Sequence, residues 1–378
     1  MCRTAPLTRA RAIYSPIFIC PGEPRRIQTE SMTGTWKIWI GYVVAAWSAA
    51  YGALGIWWAA GGAGFPFGTG DPELVAEGDE ALKASWLGAA TPEVAGPIIA
   101  VWGLTGAIVA IAMARGVRAP WTRRVLPVFA WVTAAVLTVG IQDYRPLGVV
   151  AYTPILAIGK LLGVWPEGSG WADLLLAPRL NLLLCLVAGV GWALAAVAYG
   201  RRVSGRPGCQ SRDISRGSSF LDNWGRTATW IAFATPLFYC ATRFAWALGF
   251  SLGIDPDFYR QGQADGLWFA GAALASFGVI GAVLTLGLIQ RWGEVFPRWM
   301  IGLRGRKVPP MLAVIPAILV SILVTGASLM YMRVVAVDGL TASTWPLNLP
   351  EVFFSVWGVA LFVAALAYYR RAKQRVLA

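Results

Sequence analysis

One arginine sits where the rest of the sequence keeps charge out. Arg243 lies inside the apolar run 229–250, seven residues from its end, or about 10 Å deep at 1.5 Å per helical residue. Helical spacing sets Pro236, Tyr239, Cys240, Arg243, Trp246 and Phe250 on one stripe, an aromatic face with a single cation. Placing an arginine within a bilayer costs at least ~2.5 kcal/mol unless it meets a partner or water. Three readings follow: it anchors a small anionic or lipid-like ligand, it snorkels to lipid phosphate, or it pairs with Asp143 or Glu351. Asp143, Tyr144 and Arg145 close one apolar run, and Tyr331 and Arg333 close another. With Arg243, Tyr239 and Trp246 they form the candidate ligand set, in which three arginines would suit a carboxylate or anionic headgroup. The alternative is that each is a separate interfacial anchor.

Other chemistry is poorly provided for. There is no histidine, so the commonest metal ligand and the side chain that titrates near neutral pH are missing. The five cysteines contain no CxxC pair, and Cys185 and Cys240, inside apolar runs, read as inert small residues. No Asp or Glu falls within a span, which argues against a proton relay or an acid–base pair in the bilayer. No catalytic residue, metal site or cofactor is assigned. An enzyme acting on lipid-linked substrates through Asp143, Tyr144 or the arginines ranks last.

The elements that must position these residues are membrane helices. Of 378 residues, 57% are hydrophobic and 13% charged, against about 25% charged in soluble domains. Eight apolar runs are long enough to span, at 38–60, 95–114, 125–141, 180–199, 229–250, 267–289, 310–330 and 352–369. Trp and Tyr cluster at their ends, among them Trp39, Trp57, Trp121, Tyr199, Trp268 and Tyr368. The N-terminal tail, the loops after spans 2, 4 and 6, and the C-terminal tail each carry a net +4. The four intervening loops carry −5, 0, −2 and −1, so both termini are expected in the cytoplasm. The net charge of +13 is thereby topological, and no nucleic-acid partner is called for. The stretch 147–165 is apolar enough for a ninth span, but Pro154, Gly159 and Lys160 favour a re-entrant or interfacial segment. The acidic loop 61–94 is expected to hold a short helix around 73–86.

Self-comparison reveals a duplication. AAVAYGRR at 195–202 and AALAYYRR at 364–371 agree at six of eight positions, and RRVLPVFA at 123–130 pairs with RKVPPMLA at 306–313. GLTGA at 103–107 and GVIGA at 278–282 add a third match. Four spans per copy is an even number, so both copies enter the membrane in the same direction. The expected fold is all-α, a polytopic membrane protein of eight transmembrane helices as two parallel four-helix repeats. Its parts are a disordered basic N-terminal extension (1–31), a first repeat (32–202), a cytoplasmic linker (203–226), a second repeat (227–371) and a basic tail (372–378). Residues 1–31 read equally as an upstream extension of the frame, since Met32 directly precedes TGTWKIW. Gly103/Ala107 and Gly278/Ala282 are small residues at helical spacing, suggesting that spans 2 and 6 meet at a central seam.

The segment from Arg291 to Pro309 interleaves Trp292, Phe296 and Trp299 with five cations. That composition suits an anionic leaflet or the docking of a protein partner. With WSAAYGALGIWWAAGGAGFPFG at 47–68, RWGEVFPRW at 291–299 resembles uncharacterised multipass membrane proteins of actinobacteria. The resemblance implies a cell-envelope setting and no chemistry. The partners expected are the lipid bilayer, a small anionic or lipid-like ligand to be bound or transported, and, on the alternative reading as a non-catalytic subunit or scaffold, a protein at 291–309.

Overall fold

The computed structural model describes residues 36–163, 170–203, 210–296, 302 and 304–377. Helices dominate, and among the described residues the only β pairing is an isolated antiparallel bridge between Val295 and Lys307. The first half comprises α1 (Trp36–Ala59), α2 (Pro72–Glu77), α3 (Asp79–Ala84), α4 (Pro92–Ala114), α5 (Thr122–Ala135), α6 (Arg145–Leu161), α7 (Trp171–Leu174) and α8 (Ala177–Val203). The second comprises α9 (Gln210–Ala247), α10 (Pro256–Ala264), α11 (Leu267–Leu286), α12 (Pro310–Asp338), α13 (Trp345–Val352) and α14 (Phe354–Leu377).

Seven segments are long and apolar enough to cross a membrane: Trp39–Ala59, Pro92–Ala114, Thr122–Gly140, Ala177–Val203, Leu267–Leu286, Pro310–Asp338 and Trp345–Arg375. Their outward faces expose Ile108, Val187, Ile280, Ile315 and Val359, an apolar surface too continuous for water and suited to lipid. The chain has the build of an integral membrane protein. α9, which holds the expected fifth span, is not among the seven; its apolar stretch carries Arg243.

Within each half the same pairings dominate. α1 packs on α4, α5 on α8 and α8 on α1, while α9 packs on α11, α12 on α14 and α14 on α9. The two halves meet where α12 lies against α3, α6 and the π-helical turn Val136–Gly140, and where α11 lies against α6. The small residues expected at a central seam serve the pairings inside each half instead. A Cβ added at Gly103 would lie 2.6 Å from Gly52 Cα in α1, and one at Gly278 would lie 3.0 Å from Cys240 Sγ in α9.

The two matching motifs, 195–202 and 364–371, make alike contacts. The Tyr199 hydroxyl donates to Val117 O (2.6 Å) and Arg202 Nη1 to Ala114 O (3.0 Å), closing the last turn of α4. The Tyr368 hydroxyl donates to Gly293 O (2.7 Å) and Arg371 Nη2 to Leu288 O (2.7 Å), just beyond α11. These side chains supply donors to carbonyls that lack partners where a helix ends.

Three local features differ in detail from the sequence reading. The stretch 147–165 forms one continuous helix, α6, as far as Leu161 despite Pro154, with Thr153 Oγ1 donating to Val149 O (2.6 Å). The short helix expected near 73–86 is split into α2 and α3 by Gly78, whose φ of +94° a side chain would resist. The later part of the linker 203–226 is helical and continuous with α9, and the tail 372–377 continues α14. The extension 1–31 lies outside the described residues.

Candidate functional site

The stripe on α9 faces a cavity of about 490 Å³. Pro236, Tyr239, Arg243 and Trp246 line it from α9, and Gly271, Leu274, Gly278 and Gly281 from α11. α12 adds Leu323 and Tyr331, α13 and α14 add Glu351 and Trp357, and α6 of the first half closes the wall with Gly148, Ala151 and Tyr152. The space exists because α11 presents glycines to it: a Cβ at Gly281 would meet nothing within 4 Å, and one at Gly271 would reach only Arg243 Cδ at 3.7 Å. Phe250 leaves the stripe because α9 ends at Ala247 and the chain turns at Gly249 with φ +105°. Cys240 is turned to α11, its thiol donating to Ala275 O (3.3 Å).

Arg243 is held on all sides. Its guanidinium carbon lies 4.4 Å from the Tyr239 ring centre and 4.2 Å from that of Trp246. Its Nη2 forms an ion pair with Glu351 Oε1, and Nη1 donates to Pro346 O (3.3 Å). Such a pair offsets the cost of a buried cation, and two ring faces add about 0.5–2 kcal/mol each. Trp246 is fixed in turn by an aromatic stack. Tyr259 Oη donates to the Trp246 carbonyl (2.7 Å), the Tyr259 and Trp268 rings stack at 5.3 Å, and Trp268 Nε1 donates to Tyr259 O (3.0 Å). α10 thus seats the tryptophan that flanks the arginine.

Among the described residues, three fully buried side-chain polar atoms on residues of the lining have no hydrogen-bond partner: Trp246 Nε1, Trp357 Nε1 and Glu351 Oε2. Trp246 is 2% exposed and Glu351 3% exposed, so these are desolvated groups left unmet within the packing beside the cavity.

The other candidate residues lie elsewhere. Arg145 is buried in an ionic cluster, with Nη2 2.6 Å from Asp143, Nη1 2.7 Å from Asp71 and 3.3 Å from Glu73. Arg179 binds Glu73 as well, at 2.7 Å. Burial works against the Arg145 charge, but Asp143 and Asp71 outweigh it and raise the guanidinium above its ordinary value, so it remains a cation. Asp71 also caps α2, accepting from Glu73 N (3.0 Å) and Leu74 N (3.4 Å). The cluster fastens the 61–91 segment to α6 and leaves Arg145 and Asp143 committed. Tyr144, between them in sequence, does line the cavity. Its hydroxyl donates to Glu77 Oε1 (2.7 Å), and burial, reinforced by Glu77, holds the phenol protonated. Arg333 reaches the same segment from α12, with Nε donating to Lys83 O (2.8 Å) and the guanidinium 5.1 Å from the Trp86 ring. The structure therefore brings Arg243, Tyr239 and Trp246 into one site and engages Asp143, Arg145 and Arg333 in tying a cap to the bundle.

Of the segment 291–309, residues 297–301 and 303 lie outside the described residues. Val295 pairs with Lys307, and Glu294 meets Arg375 of α14 at 2.5 Å. Among the described residues no cluster of His, Cys, Asp or Glu is arranged to hold a metal ion.

The glycine face of α11 and the α6 wall were missed in the sequence reading. The 271, 278, 281 spacing puts three glycines on one helical face, a signal that tells of room beside a helix without saying whether a neighbour or a void fills it. Comparison with family models, with curated proteins and with solved structures returns no match.

Proposed function

We propose that the protein binds, and as a transporter would move, a lipid-like amphiphile, with the polar end at Arg243 and Glu351 and the apolar part along the glycine face of α11. The observation that carries this reading is an apolar-walled cavity of about 490 Å³ whose charged pair is gathered against Tyr239 and Trp246. That volume is within the range of small-molecule sites, about 300–1,000 Å³, which are mostly apolar with a few placed polar groups. Because Glu351 already neutralises Arg243, a small free anion is less well served than an amphiphile.

On this reading α9 is the eighth span. The two halves are parallel repeats, supported by their shared helix pairings and by the matched Tyr and Arg contacts of 199/202 and 368/371. Both termini then lie in the cytoplasm, by the charge distribution, and the cavity lies toward the outer leaflet of the cell membrane.

Native mass spectrometry of gently extracted protein tests it. Wild type is expected to retain a small amphiphile, Gly281→Leu to lose it by filling the cavity, and Arg243→Ala to retain less. Identical bare spectra from all three proteins would sink the proposal.

A further inference from the structure

The cavity runs away from Arg243 and is shut at its far end. We infer that it measures the tail of its ligand: the site takes a single-chain amphiphile of about twelve carbons, at about 1.3 Å per carbon of an extended chain, and Gly281 marks where the tail stops. This rests on the amphiphile reading above and adds the length of the apolar part.

The polar end leaves the choice to the tail. Tyr152, Tyr239 and Tyr331 bring phenols to the same wall as Arg243 and Glu351. A phenol both donates and accepts, so heads of several chemistries find partners there.

The apolar end has a fixed depth. Arg243 stands beside Gly271, where an added Cβ would reach Arg243 Cδ at 3.7 Å, and the last lining residue of α11 is Gly281. From 271 to 281 is ten residues, or about 15 Å of helix. Leu274 and Phe277 of α11 and Leu323 and Val320 of α12 make this stretch apolar. Beyond Gly281 and Val320 the helices close. Ala232 of α9, Val314 of α12, Leu361 and Ala364 of α14 and Leu288 just past α11 join in one buried cluster, with Ala232 and Ala364 at 0% exposure. A chain whose head is held at the ion pair therefore meets apolar wall for about 15 Å and then packed side chains. Each methylene up to that floor gains burial, about fourfold in affinity, and those past it gain none.

The probes are two series, monoacylglycerols and free fatty acids, each with octanoyl, dodecanoyl and hexadecanoyl chains, so that a neutral and an anionic head are both presented. The full chain is held in amphipol, where no free detergent competes, and bound probe is read by native mass spectrometry. In at least one series dodecanoyl is expected to bind at least about tenfold more tightly than octanoyl, and hexadecanoyl no more tightly than dodecanoyl. Gly281→Leu should cost dodecanoyl at least about tenfold and leave octanoyl within about twofold, and Val320→Phe, from α12, should repeat the pattern. Wild type alone decides the matter should both variants fail to fold. An affinity that climbs as steeply from dodecanoyl to hexadecanoyl as from octanoyl to dodecanoyl overturns the length assignment while leaving an amphiphile site, as does a Gly281→Leu loss equal for octanoyl and dodecanoyl. Wild type that binds no member of either series overturns the amphiphile reading itself and this inference with it.

Discussion

The helix pairs α1·α4 and α9·α11 occupy matching places in the two halves and are packed in opposite ways. α1 and α4 meet through glycine on both sides. A Cβ at Gly55 would lie 2.5 Å from Ala100 N, one at Gly96 2.7 Å from Ala59 N, and one at Gly103 2.6 Å from Gly52 Cα, the close approach that small residues permit in membrane helices. In the second half, α9 turns Tyr239, Arg243 and Trp246 toward α11, and Gly271 and Gly281 of α11 border open space while Gly278 alone packs closely, on Cys240. The same residue type therefore closes one pair and leaves the other ajar, depending on what the partner helix presents. The polar joint beside each pair differs too. In the first half the Tyr51 hydroxyl of α1 donates to Asn181 Oδ1 of α8, a neutral bond; in the second, Arg243 of α9 pairs with Glu351 near the start of α14. One half reads as a packed support and the other as a site.

The ion pair offers the sharpest way to break that contrast. Arg243→Ala or Glu351→Ala strands a buried charge and is expected to cost about 3–5 kcal/mol, whereas Tyr51→Phe, at the neutral joint, should cost about 1 kcal/mol. The double substitution Arg243→Met with Glu351→Leu, which removes both charges, should recover most of the loss. Denaturation of the detergent-solubilised protein in a double-mutant cycle measures all of these, and comparable losses at the two joints would abolish the distinction.

The glycines come next in size. Gly103→Leu forces a side chain into the Gly52 backbone and is expected to destabilise by about 3 kcal/mol or more, at the upper end of overpacking. Gly281→Leu enters open space and should leave thermal stability unchanged or raised, since leucine is the better helix former by about 1 kcal/mol. A thermal scan of both variants decides it. An equal fall in both would mean that α11 is as closely packed as α4.

Much of this arrangement was legible in the sequence, and the remainder was hidden for identifiable reasons. Apolar length placed seven of the helices, because in lipid a backbone must satisfy its own hydrogen bonds and a run of about 20 apolar residues has little alternative to a helix. Helical period put Tyr239, Arg243 and Trp246 on one face, and depth made Arg243 the residue in need of a partner. Which partner it takes was open between Asp143 and Glu351, because a choice of partner is a tertiary fact. Asp143 is spent on Arg145, and that residue's further partners Asp71 and Glu73 lie over 70 residues away in the chain. Arg333 likewise could not be assigned to Lys83 and Trp86 from spacing, with 250 residues between Arg333 and Lys83. Gly103 and Gly278 announced close packing without naming the helix they pack on.

The smallest expected effect bears on the proposed duplication itself. Tyr199 and Tyr368 occupy the same place in AAVAYGRR and AALAYYRR, and each donates one hydrogen bond to a loop carbonyl, at 2.6 and 2.7 Å. Both are buried, at 1% and 3% exposure, so Tyr→Phe in either removes the bond and leaves a carbonyl short of a donor. Each should cost about 1 kcal/mol, and the two costs should add in the double variant because the sites share no contacts. Matched losses in a thermal scan are what two copies of one device would give. A clear loss from one tyrosine and none from the other would mean that the motif survives in the second place as sequence alone, and that the halves bear their loads differently at this end of the bundle as well as at the cavity.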